Sequence, residues 1–318
     1  MLCLQKYFLN SLLDIKMLSQ NIFKQLSSIL IMGIEVSFLL AFGAMLCWGF
    51  GDFLIQRCTR KIGDVESLAI IGIIGSIFLI PFIIKDFNLL FSISNLFLLL
   101  TLGVITFVMA LFDFEALREG KLSVIDVIIE LELPVTIILG FIFFKETLSL
   151  LQFLIIFSIF IGIILIATKS FSHWRVRLER GVILAFIAAI SMAVVNFLTA
   201  QSSRQISPLM AIWIPWIVFS VICLIYIWRR EGFSKFLKNS LRYRNIVIAM
   251  GIFDTLAWIF YSFAVLNNEI SIITAITESF PAIAMALGFL VNKEKIRWYQ
   301  WLGGAVALAA SISLAFFV

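Results

Sequence analysis

Hydrophobic residues in this chain form long continuous runs rather than alternating positions or a single helical face. The runs are about 20 residues long, which is the length that an α-helix needs to cross about 30 Å of hydrocarbon. Strands of a membrane β-barrel would instead alternate polar and apolar residues. The runs therefore predict ten transmembrane helices, at about 34–56, 66–84, 94–117, 122–144, 149–168, 181–201, 207–228, 244–267, 271–291 and 297–317.

The fourth and ninth predicted helices share one sequence pattern. At one constant offset their polar and glycine positions recur as Ser123 and Ser271, Glu130 and Glu278, Gly140 and Gly288, Lys145 and Lys293, Glu146 and Glu294, and Gln152 and Gln300. Because each half contains an odd number of spans, the two halves must cross the membrane in opposite orientations. We therefore expect an N-terminal extension over 1–33 and two inverted five-helix repeats over 34–169 and 180–318.

Composition agrees with an all-α integral membrane protein, expected as a multi-pass protein of the cell membrane. Hydrophobic residues make up 62% of the chain, charged residues 14%, and the mean hydropathy is +1.11, so polar surface is too scarce for a water-soluble globule. The net charge of +5 fits loops that face phospholipid headgroups and does not suggest nucleic acid. Four cysteines without a C-x-x-C pair and one histidine predict neither a metal site nor a cofactor.

Positive charge is distributed unevenly between the two membrane faces. Of the 24 Lys and Arg residues, eighteen lie in the loops after odd-numbered spans, and six lie at the amino terminus or in the alternate loops. The positive-inside rule therefore places both termini outside the cell.

The first 31 residues mix lysines with apolar residues but contain no spanning run and no cleavage site of a signal peptide. Two interpretations remain open. The segment can form an amphipathic helix at the membrane interface, or Met32 can be the true translation start.

The first predicted helix carries the stretch Cys47-Trp48-Gly49-Phe50-Gly51-Asp52-Phe53. Together with the duplicated helix and its Lys-Glu ending, residues 34 to 318 resemble the drug/metabolite transporter superfamily, EamA type. The resemblance implies a carrier of small metabolites, often an exporter, with a central cavity between its halves and alternating access. Relatives are usually drawn with both termini in the cytoplasm, against the charge count. Many also have an arginine in the second helix, which this chain lacks.

Ionisable residues inside membrane helices usually face a cavity or a partner. Glu130 and Glu278 lie seven residues into helices that start from opposite faces, so both can line one site near the midplane. Asp126 shares a helix face with Glu130, and Asp254 lies near mid-depth of the eighth helix. Glu132 is rotated by about 200° from Glu130, which predicts that it faces elsewhere.

Further candidates for binding substrate or protons are Asp113, Glu115, Asp52, Asn196, Trp48 and Tyr261. The carboxyl groups can bind a cationic or amine-bearing solute or exchange a proton, and the aromatic rings can stack on it. The alternative is structural: ion pairs with Arg118 and Lys121, or ordinary aromatic packing. We expect Glu146 and Glu294, each beside a lysine, to be structural groups at the interface.

The sequence as a whole predicts a secondary-active transporter of small organic metabolites, with efflux by alternating access and proton coupling. The alternatives are an uncoupled facilitator, a membrane-embedded lipid-modifying enzyme and a non-transporting interaction subunit. The enzyme is disfavoured because no clustered acid/base or metal set is evident apart from the acids near 113–126, so we predict no enzymatic activity. Expected partners are a small-molecule substrate and the lipid bilayer, and a homodimer is one open arrangement.

Overall fold

A computed structural model describes residues 35–119, 128–167, 180–230, 232–293 and 295–317. The N-terminal extension, Asp126 and most of the polar stretch between the halves lie outside these ranges. No strand occurs within them. The helices are α1 Val36–Ile62, α2 Asp64–Ile83, α3 Ile93–Glu119, α4 Glu132–Leu139, α5 Leu150–Ala167, α6 Arg180–Gln205, α7 Met210–Arg230, α8 Phe233–Arg242, α9 Arg244–Ala264, α10 Ile270–Thr277, α11 Pro281–Asn292 and α12 Trp298–Phe316.

Eight helical stretches of the described chain are long and apolar enough to cross a membrane, and two shorter apolar helices, Glu132–Phe144 and Leu150–Ile166, accompany them. Among the eight, α10 and α11 together count as one stretch, Ile270–Val291. The exact number of ten spans therefore stays a prediction. The chain is an all-helical, multi-pass membrane protein.

The distribution of polarity is the reverse of that in a water-soluble protein. Large apolar side chains such as Phe91, Ile93 and Trp298 are 76–88% exposed, whereas Ser67, Thr136 and other polar residues are buried. Lipid tails solvate exposed apolar groups, so the interior can hold polar groups wherever they find partners or serve a function.

Packing between the helices follows the repeat. The most extensive contacts join α1 with α9, α3 with α6, α5 with α12, and α2 with α7. The repeat relates α1 to α6, α2 to α7, α3 to α9 and α5 to α12. Exchanging the two halves therefore converts the pairing of α1 with α9 into that of α6 with α3, and leaves the other two pairings unchanged. The α5–α12 contact brings Gly162 and Gly303 together so closely that a Cβ on either would lie 2.6–2.7 Å from the other's carbonyl oxygen. Glycine is required there because only a bare backbone allows this approach.

The duplicated helix also ends in the same way in both copies. Lys145 and Lys293 adopt left-handed backbone conformations, with φ of 55° and 56°, and their N–H groups donate to the carbonyls of Gly140 and Gly288. These two lysines are the non-glycine residues with positive φ in the described chain. The repeated Gly-to-Lys spacing therefore encodes a repeated helix end.

Candidate functional site

Both copies of the duplicated helix are interrupted near their glutamates. In the first half a turn at Glu130 and Leu131 precedes α4, which begins at Glu132. In the second half α10 ends at Thr277 and α11 starts at Pro281, with Glu278 in the turn between them. Pro281 is the first residue of α11, where a missing N–H disrupts nothing. Each interruption therefore places carboxyl groups beside backbone that has left the helical hydrogen-bond pattern.

The two interrupted helices bring their carboxyl groups together. Asn196 Nδ2 on α6 donates to Glu132 Oε1 at 3.0 Å, and the Glu132 and Glu278 side chains lie next to each other. Glu130 lies within electrostatic range of Glu132. All four side chains are buried, with at most 8% of their surface exposed. Two ionised carboxylates buried side by side would repel each other, so this arrangement favours a proton on the pair.

The prediction that Glu132 faces away from this region is wrong. The estimate of 200° assumed an uninterrupted helix from Glu130 to Glu132. The turn at Glu130 and Leu131 changes the direction of the chain, so Glu132 reaches the second half at Glu278 and Asn196.

An aromatic cluster adjoins the carboxyl pair, made from side chains of α1, α7 and α9 and from the turn after Glu278. Trp48 contacts Trp258, Tyr261 and Phe280 with ring centroids 5.2, 5.6 and 6.4 Å apart. Trp216 contacts Trp258 at 5.8 Å. Tyr261 lies within electrostatic range of Glu132 and Glu278, and its hydroxyl hydrogen-bonds to that of Thr274 at 3.0 Å. The carboxyl pair and the rings thus form one region between the halves.

Four buried polar groups near Trp216 find no hydrogen-bond partner among the described residues: Ser76 Oγ, Trp216 Nε1, Ser220 Oγ and Thr255 Oγ1. They meet along the face of α2 that carries Gly72 and Gly75. A Cβ on Gly75 would lie 2.6 Å from Thr255 Oγ1 and 2.8 Å from Trp216 Nε1. We did not predict a site at these groups from the sequence, although the small residues of α2 were a signal that neighbouring side chains approach there.

The remaining predicted residues are distributed around this region. Asp254 is buried on α9 where that helix packs against Gly51 of α1, and Asp52 follows Gly51, half-buried. Asp113 and Glu115 are half-buried near the end of α3, and Asp113 Oδ1 has no hydrogen-bond partner in the described part of the chain. The structure therefore joins Glu130, Glu278, Asn196, Trp48 and Tyr261 in one region and leaves Asp113 and Glu115 on a separate helix end.

A network of contacts joins the two halves on the membrane face at which α1 begins. The buried Glu146 carboxylate accepts from the backbone N–H groups of Ile270 and Ser271 at 2.6 and 3.1 Å, and from the Ser271 hydroxyl at 2.5 Å. Arg204 lies 3.9 Å from the same carboxylate. Glu146 thus has a structural role, as expected, but it supports the start of α10 from a buried position between the halves.

Glu269 completes this network from the second half, since its carboxylate accepts from the backbone N–H of Thr147 at 3.4 Å. The pKa of Glu269 is raised above its ordinary value, mainly by burial. The hydrogen bond from the Thr147 N–H and the charge of Arg204 oppose this shift, and the neighbouring Glu146 adds to it. On the same face Asn268 Nδ2 donates to Glu35 at 3.2 Å, and the Ser207 hydroxyl hydrogen-bonds to Asp86. We call the group formed by Glu146, Arg204, Glu269, Thr147 and Ser271 the inter-half clamp.

No cluster of three or more His, Cys, Asp or Glu side chains with the geometry of a metal site occurs in the described ranges. The region offers carboxyl groups that can exchange a proton or bind a positive charge, together with aromatic faces.

Comparison with known proteins gives the family. A crystal structure of a protein 14% identical in sequence superposes with a TM-score of 0.70, covering 88% of this chain and 94% of its own, which shows a shared fold. Among curated proteins no sequence matches significantly. The model of the EamA-like transporter family matches twice, over residues 36–168 and 179–316. The chain therefore belongs to the EamA-like transporter family and is a membrane transporter of small molecules.

Proposed function

We propose that this transporter exports a small organic cation or amine-bearing solute in exchange for protons, using the Glu132–Glu278 pair as the proton carrier. The observation that carries the proposal is the close approach of these two buried carboxyl groups, one from each half, beside an aromatic cluster. A proton neutralises part of this buried charge when no solute is bound. A bound cation would neutralise it in the same way.

Competition for one pair of carboxyl groups accounts for the coupling. When the solute enters, its positive charge stabilises both carboxylates in the ionised form, so the shared proton leaves toward the open side. When a proton returns from the other side, the carboxyl pair is again protonated and the solute is released. Proton and solute thereby move in opposite directions, and an inward proton gradient drives export.

The aromatic cluster supports a cationic rather than an anionic solute. Ring faces of Trp48, Trp258 and Tyr261 carry negative electrostatic potential, and cations bind to such faces with about 0.5–2 kcal/mol each. Helix α2 contains no arginine. The arginines of α7, Arg229 and Arg230, both lie in its last turn at the membrane edge. An anion would therefore meet only like charge at Glu132 and Glu278.

Alternating access follows from two halves that we propose to be inverted repeats. Symmetric helix pairings, the repeated ends at Lys145 and Lys293 and the repeated interruptions support this relation. In an inverted arrangement, loosening the inter-half clamp on one face would accompany tightening of the corresponding contacts on the other. The interrupted helices lie at the centre, where a small rotation of one half changes which face reaches the carboxyl pair.

The test is ethidium flux in proteoliposomes with an imposed pH gradient. We expect the gradient to drive ethidium transport by the parent protein and not by Glu132→Gln or Glu278→Gln, because an amide cannot exchange a proton. Glu66→Gln, at the start of α2, is the matched control and should transport normally. Undiminished gradient-driven flux in both variants would contradict the proposal. Ethidium flux that ignores the gradient in the parent protein would instead indicate an uncoupled facilitator.

A further inference from the structure

We propose that helix α8 and the start of α9 form a binding site for the phosphate headgroup of an anionic phospholipid. This site lies in the connection between α7 and α9, apart from the carboxyl pair and the aromatic cluster, and it is independent of the proposed transport cycle.

The apolar side of α8 is built to enter a membrane surface. Phe233, Phe236, Leu237 and Leu241 share one face at spacings of three and four residues. Phe236 packs against the hydrophobic core, whereas Phe233, Leu237 and Leu241 are 46%, 58% and 61% exposed. In a protein that spans a bilayer, an amphipathic helix with such a face lies in the interface with its apolar residues among the acyl chains.

The polar side of the same helix is positively charged. Lys235, Lys238 and Arg242 lie on α8, and Arg244 begins α9 directly after it. No acidic residue occurs between Phe233 and Arg244. Each cation near an anionic membrane surface contributes about 1 kcal/mol of attraction. Charge complementarity therefore favours an anionic headgroup over a zwitterionic one.

A cavity of about 300 Å³ marks where the headgroup would sit. Its lining consists of Leu241, Arg242, Tyr243, Arg244, Asn245 and Ile246. Lys61 at the end of α1 lies near this lining, with its Nζ 4.9 Å from the centroid of the Tyr243 ring. Arg242 Cζ lies 5.6 Å from the same centroid. Two cations thus line the cavity, Arg242 and Arg244, and Lys61 lies beside the Tyr243 ring that also lines it.

The lining also fits a lipid better than a free anion. Leu241 is exposed on the acyl-chain side of α8, and Ile246 is half-buried on the first turn of α9. A headgroup phosphate held by Arg242, Arg244 and Lys61 would leave its glycerol and acyl chains beside these apolar residues. Free phosphate would use the cations alone.

The experiment measures lipid binding to the delipidated, detergent-solubilised full chain by native mass spectrometry. We expect phosphatidylglycerol to bind and phosphatidylcholine to bind much more weakly. The double variant Arg242→Gln and Arg244→Gln should lose about 30-fold in affinity for phosphatidylglycerol, since each cation corresponds to about fivefold. Both side chains are exposed, so the variant should fold, and its unfolding temperature in detergent checks this.

The matched control is Arg229→Gln with Arg230→Gln, which removes the same charge from the exposed end of α7. It should retain phosphatidylglycerol binding. Equal losses in the two double variants would overturn the site and leave only diffuse attraction to the membrane face. Binding of phosphatidylcholine with equal affinity would also overturn it. Binding of inorganic phosphate or glycerol 3-phosphate with the same affinity as phosphatidylglycerol would show that the site takes free anions, and would overturn its assignment to a lipid.

Discussion

Replacing Glu146 tests whether the two halves are held together by a buried carboxylate. This side chain is 7% exposed and receives three hydrogen bonds from Ile270 and Ser271, which are themselves fully buried. Glu146→Ala would leave two backbone N–H groups at the start of α10 without an acceptor. Each unsatisfied buried donor costs about 1–3 kcal/mol. Loss of the contact with Arg204 adds to this cost, so we expect the free energy of unfolding to fall by about 3–5 kcal/mol.

Glu146→Gln should have a smaller effect, because its amide oxygen still accepts one of the three hydrogen bonds and no space is left empty. The measurement is SDS-induced unfolding in mixed micelles, followed by tryptophan fluorescence. Glu35→Ala is the control, since Glu35 joins the halves on the same face through an exposed hydrogen bond to Asn268. If Glu146→Ala and Glu35→Ala unfold at the same SDS fraction, the buried clamp does not stabilise the protein and the reasoning is refuted.

Three further predictions concern the backbone and the buried polar groups, measured by the same unfolding assay. Lys145→Val and Lys293→Val should each destabilise the protein by about 1–2 kcal/mol, whereas glycine at either position should not, because both residues have positive φ. Unequal responses of the two would argue against a shared conformation. Thr255→Val should stabilise by about 1 kcal/mol, since its hydroxyl has no partner in the described chain; a loss of stability would reveal a partner. Gly72→Ala should destabilise by about 1–3 kcal/mol, because its Cβ would lie 2.7 Å from a carbonyl oxygen of α7, while Gly51→Ala, with its nearest atom at 3.8 Å, should be tolerated.

Much of the helical organisation can be predicted from the sequence because a bilayer restricts the chain so strongly. Continuous apolar runs must become helices, and most of the described helices start and end within a few residues of the predicted ones, although α1 continues six residues further and the predicted helices 122–144 and 271–291 are interrupted. The endings at Lys145 and Lys293 were visible as a repeated spacing from Gly140 and Gly288. Their left-handed conformation was not, because lysine gives no local signal for positive φ.

The arrangement of the site was harder to predict because it depends on interruptions that the sequence barely marks. Pro281 indicates the start of α11, but Pro134 lies two residues inside α4 and gives no sign of the turn at Glu130. Without that turn the rotation between Glu130 and Glu132 is misjudged. The partnership of Glu132 with Asn196 spans 64 residues, and no local pattern encodes such a contact.

Glu146 shows a second limit of the same kind. A Lys-Glu pair at the end of an apolar run is typical of a membrane interface, which favoured a structural group at that interface. In the structure the left-handed turn at Lys145 directs the following carboxylate inward to the N-terminus of α10 in the other half. Only the three-dimensional approach of the two halves distinguishes these outcomes.

The most direct test of competition between solute and proton is to measure whether the carboxyl pair releases protons when a cation binds. Ethidium is added to purified protein in weakly buffered detergent solution, and the pH change is recorded with an indicator dye. We expect the parent protein to release protons when it binds ethidium, and we expect Glu132→Gln and Glu278→Gln to release none when ethidium is added. Ethidium binding that releases no proton from the parent protein, or equal release by the parent and both variants, would contradict the claim that solute and proton compete for Glu132 and Glu278.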